Sequence, residues 1–571
     1  RALHRDQHYV SALTTKGLIL FQKGQRPFTW FDRAISAESG FSPAFTSRCL
    51  TSNYFSDVSL EEGFAYHTAF GRQFAQPPVK LAVNQLSKHD EKLRIGYVSP
   101  DCREHSVAYF FEPLLKSHDK EKVEVFCYYN HAKVDEVTQR LMEHADQWRS
   151  IVGRSDEDVV KLIQEDGINI LVDLAGHTSE NRLTVFAHKP APIQITWLGY
   201  PNTTGLEAID YRFTDEIADP VGNADQFHTE ELLRLPNGMW CYQGNPDIDV
   251  STQLPYDRNG FITFGSFNNL AKVTPEVISA WAKILRQCPR SKLLLKAKQL
   301  HDQDTLKRTL QLFSDHGIEE ERLLLRDSLS SKEDHLRLYD EIDIALDPFP
   351  FNGATTTCEA LWMGVPVLTL QGDRHVGRVS ASMLSRIGLT DFVANNLDDY
   401  IGKAFDLSNR LDDLRELRLN MRERVSQSPL CNAPLFAKNV ELAYNIIWDE
   451  KAKSEKPILG ESLEHTTQQA IDFFNNGQLE EAEKLSKRLH QSNPESFDLI
   501  NLLAGVLLTL RKLEEAADAY EKAVALKPDY AIGYFNLGVA LQDLARPLEA
   551  ITAYSKAVKL DPSLYEAHYN L

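Results

Sequence analysis

The stretch Ile342-Asp-Ile-Ala-Leu-Asp-Pro-Phe-Pro-Phe-Asn-Gly-Ala-Thr-Thr-Thr-Cys-Glu359 predicts a buried strand, a glycine-bearing turn and a helix that opens with three threonines. A helix that starts directly behind a strand presents free backbone N–H groups and the positive end of its dipole, which together can hold a phosphate. Glu359, one turn into the helix, can accept hydrogen bonds from a ribose diol. The alternative is that the threonines only cap the helix. The stretch therefore predicts an α/β fold with a candidate phosphate site.

Short aliphatic runs alternate with amphipathic helices on both sides of this stretch, which is typical of parallel sheets covered by helices on both faces. Residues 243–260, rich in Pro, Asp, Gly and Asn, divide the runs into two sets. We therefore predict two Rossmann-like domains facing each other, at 92–243 and 260–450, joined by a linker at 244–259. Ligands in this architecture bind beyond the carboxyl ends of the strands. The predicted strands are Leu93–Ser99, Val123–Tyr129, Ile168–Ala175, Ile193–Gly199, Phe261–Phe267, Lys292–Ala297, Leu323–Ser328, Ile342–Pro348 and Pro366–Gly372.

A 34-residue period marks the C-terminal part of the chain, where prolines end each second helix and alanines let paired helices approach closely. We predict all-α repeats resembling tetratricopeptide repeats at 466–571, the last one cut off inside its first helix, behind a polar linker at 451–465. A weaker unit at 1–46 resembles a degenerate repeat, and residues 47–91 are predicted to be linking helices. The period rests on Pro494, Pro528 and Pro562, on Ala482, Ala516 and Ala550, and on Leu503, Leu537 and Leu571.

The composition excludes several classes of protein. The 571 residues suggest three to four domains, and 43% apolar with 25% charged residues is ordinary for a globular protein. Apolar runs such as Ile168 to Ala175 are far shorter than the roughly 20 residues that a membrane-spanning helix needs. The net charge of −19, from 62 basic and 81 acidic residues, argues against nucleic acid as a partner.

Seven scattered cysteines, without a Cys-x-x-Cys pair, favour reduced thiols and a cytoplasmic, intracellular location. The first residue is Arg1 rather than Met, which suggests a fragment or a processed chain and leaves an upstream targeting signal open.

Seven motifs occur in an order that resembles the catalytic region of the protein O-GlcNAc transferase family, and especially its SPINDLY-type branch. The resemblance spans roughly residues 50–450. It implies a GT-B glycosyltransferase that inverts at the sugar carbon, needs no metal or other cofactor, and moves a sugar from a nucleotide diphosphate to Ser or Thr hydroxyls of proteins. The motifs are Gly96-Tyr-Val-Ser-Pro-Asp101, Arg103-Glu-His105-Ser-Val107, Gly176-His-Thr178, Pro190-Ala-Pro-Ile-Gln194, Trp197-Leu-Gly-Tyr-Pro-Asn-Thr-Thr-Gly205, Phe264-Gly-Ser-Phe-Asn-Asn-Leu-Ala-Lys272 and Asn352 to Glu359.

The resemblance assigns the leaving diphosphate to Lys272, Thr355 and Thr356. A reaction of this kind must stabilise the charge that develops on the diphosphate. Without a metal, that task falls to a cation and a helix N-terminus.

Three positions depart from the animal enzymes of the family. Glu359 stands where they carry Asp, which preserves contact with the ribose but lengthens the side chain by one methylene. Asn269 stands where they carry Gln, and Ala354 replaces a histidine beside the phosphates. No Asp-x-Asp follows a predicted strand end, as a metal-dependent transferase would need, so we predict no metal ligand.

The loop behind the first predicted strand carries a histidine that matches the family's active-site histidine, His105. Asp101, four residues earlier, can set the orientation of His105 or assist proton transfer. Without the motif, a surface hydrogen bond between the two would be the simpler interpretation. His177, after the strand Ile168–Ala175, is a second candidate for the cleft, and a satisfied loop histidine is the alternative there.

Lys332 and His335 resemble the family's segment that contacts the nucleobase, where the imidazole stacks on the ring. The alternative is an exposed helix start, because Ser-x-x-Asp is also a capping pattern. Arg378, behind the strand Pro366–Gly372, can face the cleft or begin a solvated helix.

Three functions remain open on the sequence. The favoured donor is UDP-GlcNAc. Plant SPINDLY proteins are protein O-fucosyltransferases, so GDP-fucose is the alternative donor. The third possibility is a repeat scaffold whose transferase region is inactive, against which the joint presence of Lys272, His105 and the threonines argues.

In related transferases, asparagines on the repeats bind the main chain of the acceptor. Asn536 and Asn570 lie 34 residues apart on the first helices of their units, and amides can both donate to and accept from an extended peptide. The alternative is that each is a satisfied polar residue between helices, since Leu502 occupies the equivalent place in the preceding unit. Acceptor proteins or peptides are thus the predicted partners of the repeats.

Overall fold

A computed structural model describes residues 9–81, 85, 92–329, 331–455 and 463–571. Parts of three predicted segments lie outside this description: residues 1–8 of the degenerate repeat, 82–84 and 86–91 of the linking helices, and 456–462 of the second linker. The chain divides after Ile447 into two compact units.

Four helices open the described part of the first unit. The first two pack so closely that a Cβ added at Gly17 would lie 2.5 Å from the ring of Phe31, so a small residue is required at their crossing. The fourth coincides with the helix expected within the linking segment. The helices are α1 Val10–Gln22, α2 Phe28–Ala37, α3 Ser42–Ser52 and α4 Leu60–Phe74.

The first sheet contains seven strands in the order β3-β2-β1-β4-β5-β6-β7, and every pair is parallel. Its aliphatic central strands are buried on both faces by the flanking helices, as the continuous apolar runs predict. The elements are β1 Leu93–Ser99, α5 Ala108–Ser117, β2 Val123–Tyr129, α6 Glu136–His144, β3 Gln147–Ser150, α7 Asp156–Glu165, β4 Ile170–Asp173, α8 Leu183–Ala187, β5 Ile193–Thr196, β6 Tyr211–Thr214 and β7 Glu231–Arg234.

The second sheet contains six parallel strands in the order β10-β9-β8-β11-β12-β13. Its core surrounds Trp281, Phe264 and Ile344. The elements are α9 Pro255–Asn259, β8 Thr263–Ser266, α10 Pro275–Gln287, β9 Lys292–Lys296, α11 Gln303–Ser314, β10 Leu323–Arg326, α12 Lys332–Arg337, β11 Ile344–Leu346, α13 Thr355–Trp362, β12 Val367–Leu370, α14 Val379–Arg386, β13 Val393–Ala394, α15 Leu397–Ser408, α16 Leu411–Ser426 and α17 Ala433–Glu455.

Both sheets reverse their strand order at one place, between β1 and β4 in the first and between β8 and β11 in the second. This is the Rossmann order, in which the loops behind the reversing strands diverge and leave a crevice for a ligand. The two Rossmann-like domains predicted from the sequence are therefore present. The loops that follow β1, β8 and β11 are the places where a ligand site is expected.

Buried polar contacts join the two sheets' domains. The His375 ring lies 2.7 Å from a carboxylate oxygen of Asp219, and both side chains are almost completely buried. The final helix of the unit, α17, returns from the second domain to the first, where the hydroxyls of Tyr444 and Tyr97 are 3.0 Å apart. The predicted domain at 260–450 therefore ends in a helix that packs on its neighbour.

The second unit is a series of antiparallel helix pairs. At Gly538, an added Cβ would lie 2.5 Å from the Tyr554 ring, so small residues again permit close packing. The helices are α18 Leu463–Asn475, α19 Leu479–Ser492, α20 Phe497–Thr509, α21 Leu513–Leu526, α22 Ala531–Asp543, α23 Pro547–Leu560 and α24 Tyr565–Asn570.

Candidate active site

A buried aspartate shapes the turn between β11 and α13. The Asp347 carboxylate accepts hydrogen bonds from the Gly353 N–H at 2.6 Å and from the Thr369 hydroxyl at 2.7 Å. Burial raises the pKa of Asp347, while these bonds and Lys272 oppose that rise. A Cβ added at Gly353 would lie 2.6 Å from the Thr356 hydroxyl oxygen, so the turn requires glycine. Asp347 therefore fixes the path of the chain into the helix.

The N-terminus of α13 is not capped by a side chain among the residues that the structure describes. Ala354 is its N-cap residue, so the capping alternative for the threonines is not what the structure shows. The Thr356 hydroxyl instead donates to Asn268 Oδ1 at 3.0 Å, and the Thr357 hydroxyl lies 2.9 Å from that of Ser380. The first N–H groups of α13, with half-buried Thr355 and Thr356, thus remain suited to an anion.

Lys272 reaches the same turn from the loop behind β8. Its ammonium donates to the Asn352 carbonyl at 2.7 Å and lies 4.1 Å from the centre of the Phe351 ring. Burial lowers the pKa of Lys272 to about 8, and the carboxylate of Asp347 opposes that change. The structure therefore brings a cation and an uncapped helix N-terminus together, as the sequence predicts for the diphosphate.

Asn269 stands at the start of the short 3₁₀ turn Leu270–Lys272 that carries the lysine. Its side-chain oxygen accepts from the Ala271 N–H at 3.0 Å and from the Gln299 amide at 2.5 Å. Asn269 therefore stabilises the turn that carries Lys272. The replacement of the animal enzymes' Gln by Asn at this position did not indicate such a role.

The predicted ribose and nucleobase residues contact each other. His335 Nε2 lies 3.0 Å from Glu359 Oε2, and the imidazole packs near the rings of Phe267 and Tyr339, whose centres are 5.8 and 5.7 Å away. His335 Nδ1 is buried and has no hydrogen-bond partner within the described part of the chain.

Lys332 crosses from the second domain to the first. Its ammonium lies 3.4 Å from the centre of the Tyr109 ring and 3.7 Å from Glu104 Oε1. The Tyr109 hydroxyl also donates to Glu104. Because Glu104 directly precedes His105, this contact brings the loop behind β1 to the start of α12. The cleft is therefore lined from both domains.

The predicted histidine and aspartate of the β1 loop are neighbours. His105 Nδ1 lies 3.5 Å from Asp101 Oδ1, and Arg103 donates to the same oxygen at 3.3 Å. Burial lowers the pKa of His105, while the Asp101 carboxylate opposes this. Burial raises the pKa of Asp101. His105 keeps 38% of its side-chain surface exposed, so it can meet a ligand in the neutral form that accepts a proton.

His177 does not lie in the cleft, which corrects the first interpretation of this residue. Its side chain is completely buried between Phe70 and Tyr200, and Nε2 lies 2.8 Å from the Thr204 carbonyl oxygen. Desolvation lowers the pKa of His177 well below its ordinary value. The alternative of a satisfied loop histidine holds for Nε2 only, because Nδ1 is buried without a hydrogen-bond partner among the described residues.

His177 also belongs to the one group of three potential metal ligands within the described residues, with Cys49 and His67, whose ligand atoms lie within 4.8 Å of one another. The Cys49 thiol contacts the Tyr66 carbonyl at 3.4 Å, and burial raises its pKa to about 12. Because a metal binds the thiolate, this environment favours packing over metal binding.

Arg378 spans the two domains. Its guanidinium donates to the carbonyls of Ile217, in the first domain, and Gly372, in the second, at 2.8 and 3.0 Å. These contacts assign Arg378 to the junction between the domains rather than to a solvated helix start.

Four residues of the site were not predicted from the sequence: Asn268, Asp347, Phe351 and Asn352. All four lie inside the motifs named above, beside the threonines and the lysine to which those motifs assign the diphosphate. An acidic residue at the end of a buried strand, followed by a glycine turn, is a signal that could have identified Asp347.

Comparison with known proteins gives the family of this fold and site. The family model "Glycosyl transferase family 41" matches residues 73–245 and 244–440. The chain belongs to this family. Models of the tetratricopeptide repeat match residues 510–544 and 531–564. These matches confirm the resemblance seen in the motifs and in the 34-residue period.

Curated plant relatives and one solved bacterial structure are similar to this chain. A tomato (Solanum lycopersicum) protein named "Probable UDP-N-acetylglucosamine--peptide N-acetylglucosaminyltransferase SPINDLY" is 41% identical over 72% of this chain and 45% of its own length. The SEC protein of Arabidopsis thaliana is 32% identical over 70% and 42%. A mutant O-GlcNAc transferase of Thermobaculum terrenum superposes with a TM-score of 0.75 at 34% identity, over 80% of this chain and 87% of the other. The two-domain fold is thus that of a GT-B transferase.

The chain covers less than half the length of these plant relatives. Within the described residues, no helix is long and apolar enough to cross a membrane.

The two asparagines predicted to bind acceptor lie between repeat helices. Asn536 lies beside Tyr520 and opposes the rise that burial causes in the pKa of that hydroxyl, and Asn570 donates to the Tyr554 hydroxyl at 3.4 Å. Both amides are half-buried, so each keeps some surface beyond its tyrosine partner. These contacts fit the alternative given above, in which the two asparagines are polar residues between helices, rather than the prediction that they bind the acceptor.

Proposed function

We propose that the chain transfers N-acetylglucosamine from UDP-GlcNAc to serine or threonine hydroxyls of proteins, with inversion and without a metal ion. The observation that carries the proposal is the meeting of Lys272 with the turn that opens α13. There an ammonium, a carbonyl and an uncapped helix N-terminus converge behind the two strands where the second sheet reverses its order.

In the proposed mechanism, the diphosphate binds at the first N–H groups of α13 and at the hydroxyls of Thr355 and Thr356, and the Thr356 hydroxyl turns from Asn268 to the phosphate. Lys272 stabilises the charge that grows on it as the bond to the sugar breaks. The Glu359 carboxylate accepts hydrogen bonds from the ribose, and the His335 imidazole, which contacts that carboxylate, stacks on the nucleobase.

The acceptor hydroxyl approaches from the first domain, on the side of the β1 loop. There His105 contacts the donor or takes a proton from the hydroxyl, and Asp101 stabilises the ring once it is charged. Lys332 leaves its contact with Glu104 and Tyr109 when the nucleobase of the donor binds beside it. The names of the plant and bacterial relatives support UDP-GlcNAc as the donor.

A binding panel separates the candidate donors. UDP, GDP, UDP-GlcNAc and GDP-fucose are each added to the purified chain, and the melting temperature is recorded. A ligand at 100 times its Kd stabilises the folded state by about 2.7 kcal/mol, which is easily detected. We expect the uridine compounds to stabilise the protein and the guanosine compounds to leave it unchanged.

Turnover and metal independence are then tested by transfer to a panel of Ser/Thr peptides. The release of UDP is measured with and without EDTA. If only GDP and GDP-fucose stabilise the protein, the donor is GDP-fucose and the proposal of UDP-GlcNAc is wrong. Loss of release in EDTA, restored by Mg²⁺, would contradict the metal-free mechanism. A folded chain that binds none of the four compounds would leave the scaffold as the better interpretation.

A further inference from the structure

An aromatic stack connects the N-terminal helices to Lys272. The Tyr54 ring, just beyond α3, lies with its centre 4.5 Å from that of Phe351. A second neighbour of Phe351 is the Lys272 ammonium, 4.1 Å from the ring centre. Phe21 of α1 packs edge-on against Tyr54 at 4.8 Å, so the stack is anchored in the first helix pair.

We propose that Phe351, held by Tyr54, positions Lys272 and keeps it protonated, so that the N-terminal helices complete the transferase site. The proposal rests on the role given to Lys272 under the proposed function. It assigns positioning roles to two residues that lie on different segments, one in the phosphate-binding turn and one after α3.

The chemistry of the contact explains why an aromatic ring is needed. The negative face of the ring attracts the ammonium, and this attraction is stronger where water is excluded. Two other groups stabilise the ammonium of Lys272: the Asn352 carbonyl accepts a hydrogen bond from it, and the Asp347 carboxylate favours its charge. Burial lowers its pKa to about 8, so the charged form is only moderately favoured at neutral pH. Losing the ring face should lower that pKa further.

The position of Tyr54 limits the movement of the ring. Phe351 is only half-buried, and without the Tyr54 ring beside it the side chain is free to rotate away from the lysine. Tyr54 is itself packed against Phe21, whereas the adjacent Phe55 packs against Phe28 at 5.4 Å and lies 6.5 Å from Phe21. The chain thus offers a control, because Phe55 is aromatic, adjacent in sequence and shares the contact with Phe21, while Tyr54 is the one of the two that contacts Phe351.

The test measures the pKa of Lys272 directly. The purified chain is labelled competitively with trace acetic anhydride over a range of pH, and mass spectrometry follows the peptide that contains Lys272. The parental protein should give a value near 8. Phe351→Leu should lower it by about 0.4–1.5 units, the range that a cation–π contact corresponds to. Phe351→Tyr, which retains the ring face, should restore the parental value.

The same labelling on the N-terminal side tests the stack. Tyr54→Leu should shift the pKa in the same direction by a smaller amount, and Tyr54→Phe and Phe55→Leu should leave it unchanged. An unshifted pKa in Phe351→Leu, or an equal shift in Phe55→Leu, would overturn the proposal. If Phe351→Leu does not fold, the two Tyr54 variants decide by the same criterion.

Turnover with UDP-GlcNAc is measured on the same samples. Phe351→Leu should lower kcat by about 10- to 100-fold, the cost of a misplaced group, with a smaller change in the KM for the donor. If Phe351→Leu lowers the pKa of Lys272 but the parental protein transfers no sugar, the role of the stack is supported and the proposed function is rejected. If Phe351→Leu lowers turnover without changing the pKa of Lys272, the proposed function is supported and the role of the stack is rejected.

Discussion

Replacing Lys272 by methionine is the most informative single change at the site. Methionine keeps most of the length of the side chain but removes the ammonium, its bond to the Asn352 carbonyl and its contact with Phe351. Loss of one preorganised group that stabilises a developing charge costs about 10²–10³ in rate, or about 2.7–4 kcal/mol. We therefore expect kcat to fall by this factor, while the affinity for UDP falls much less.

The fold should survive this change. Because folding lowers the pKa of Lys272 from 10.5 to about 8, the buried charge opposes folding at neutral pH, and removing it removes that penalty. The lost bond to the Asn352 carbonyl and the lost contact with Phe351 offset this gain, so the melting temperature of Lys272→Met should be close to the parental one. Sugar transfer at the parental rate by the folded variant would refute the assignment of the leaving group to this lysine.

The alkaline limb of the pH profile gives an independent check of the same residue. The charged form of Lys272 exists below its pKa, so kcat/KM should fall as the pH rises through about 8. Arginine stays protonated throughout this range, so Lys272→Arg should be slower but should lack the limb. An unchanged limb in Lys272→Arg would show that another group titrates there.

Three further predictions concern the rest of the protein. Thr356→Val removes a hydroxyl donor at nearly constant volume and should weaken UDP binding by about tenfold in isothermal titration, the worth of one hydrogen bond. The carboxylate of Asp101 raises the pKa of His105, so Asp101→Asn should move the acid limb of kcat/KM to lower pH, and an unmoved limb would show that His105 is not the titrating group. Deleting residues 466–571 should impair glycosylation of whole proteins more than of short peptides, and equal losses would reject a recruiting role for the repeats.

The fold was largely predictable because its strongest signals are local. Largely apolar runs such as Val123–Tyr129 predicted the buried strands, in two cases to the residue. The missed strands β3, β6, β7 and β13 carry polar side chains or only two residues, and three of them lie toward the edges of their sheets. Their pairing depends on neighbouring strands rather than on their own hydrophobicity, so no local pattern marks them.

The site was predictable where a motif specifies chemistry and less so where tertiary packing decides. Lys272 and Thr356 lie together at one turn, as the motifs indicate. The burial of His177 follows from α4 packing over its loop, a contact between segments about a hundred residues apart that no spacing reveals. The contact of Tyr54 with Phe351 is likewise formed by distant segments and was invisible in the sequence.

The central claim is tested most directly by the mass of the acceptor after reaction. The purified chain and its Lys272→Met variant are each incubated with UDP-GlcNAc or GDP-fucose and a panel of Ser/Thr peptides. Mass spectrometry then gives the mass added to each peptide and the residue that carries it. We predict addition of N-acetylhexosamine to serine or threonine by the parental chain with UDP-GlcNAc, and a reduction of at least about 10²-fold in the variant. Addition of deoxyhexose from GDP-fucose alone, or equal transfer by both proteins, would contradict the account.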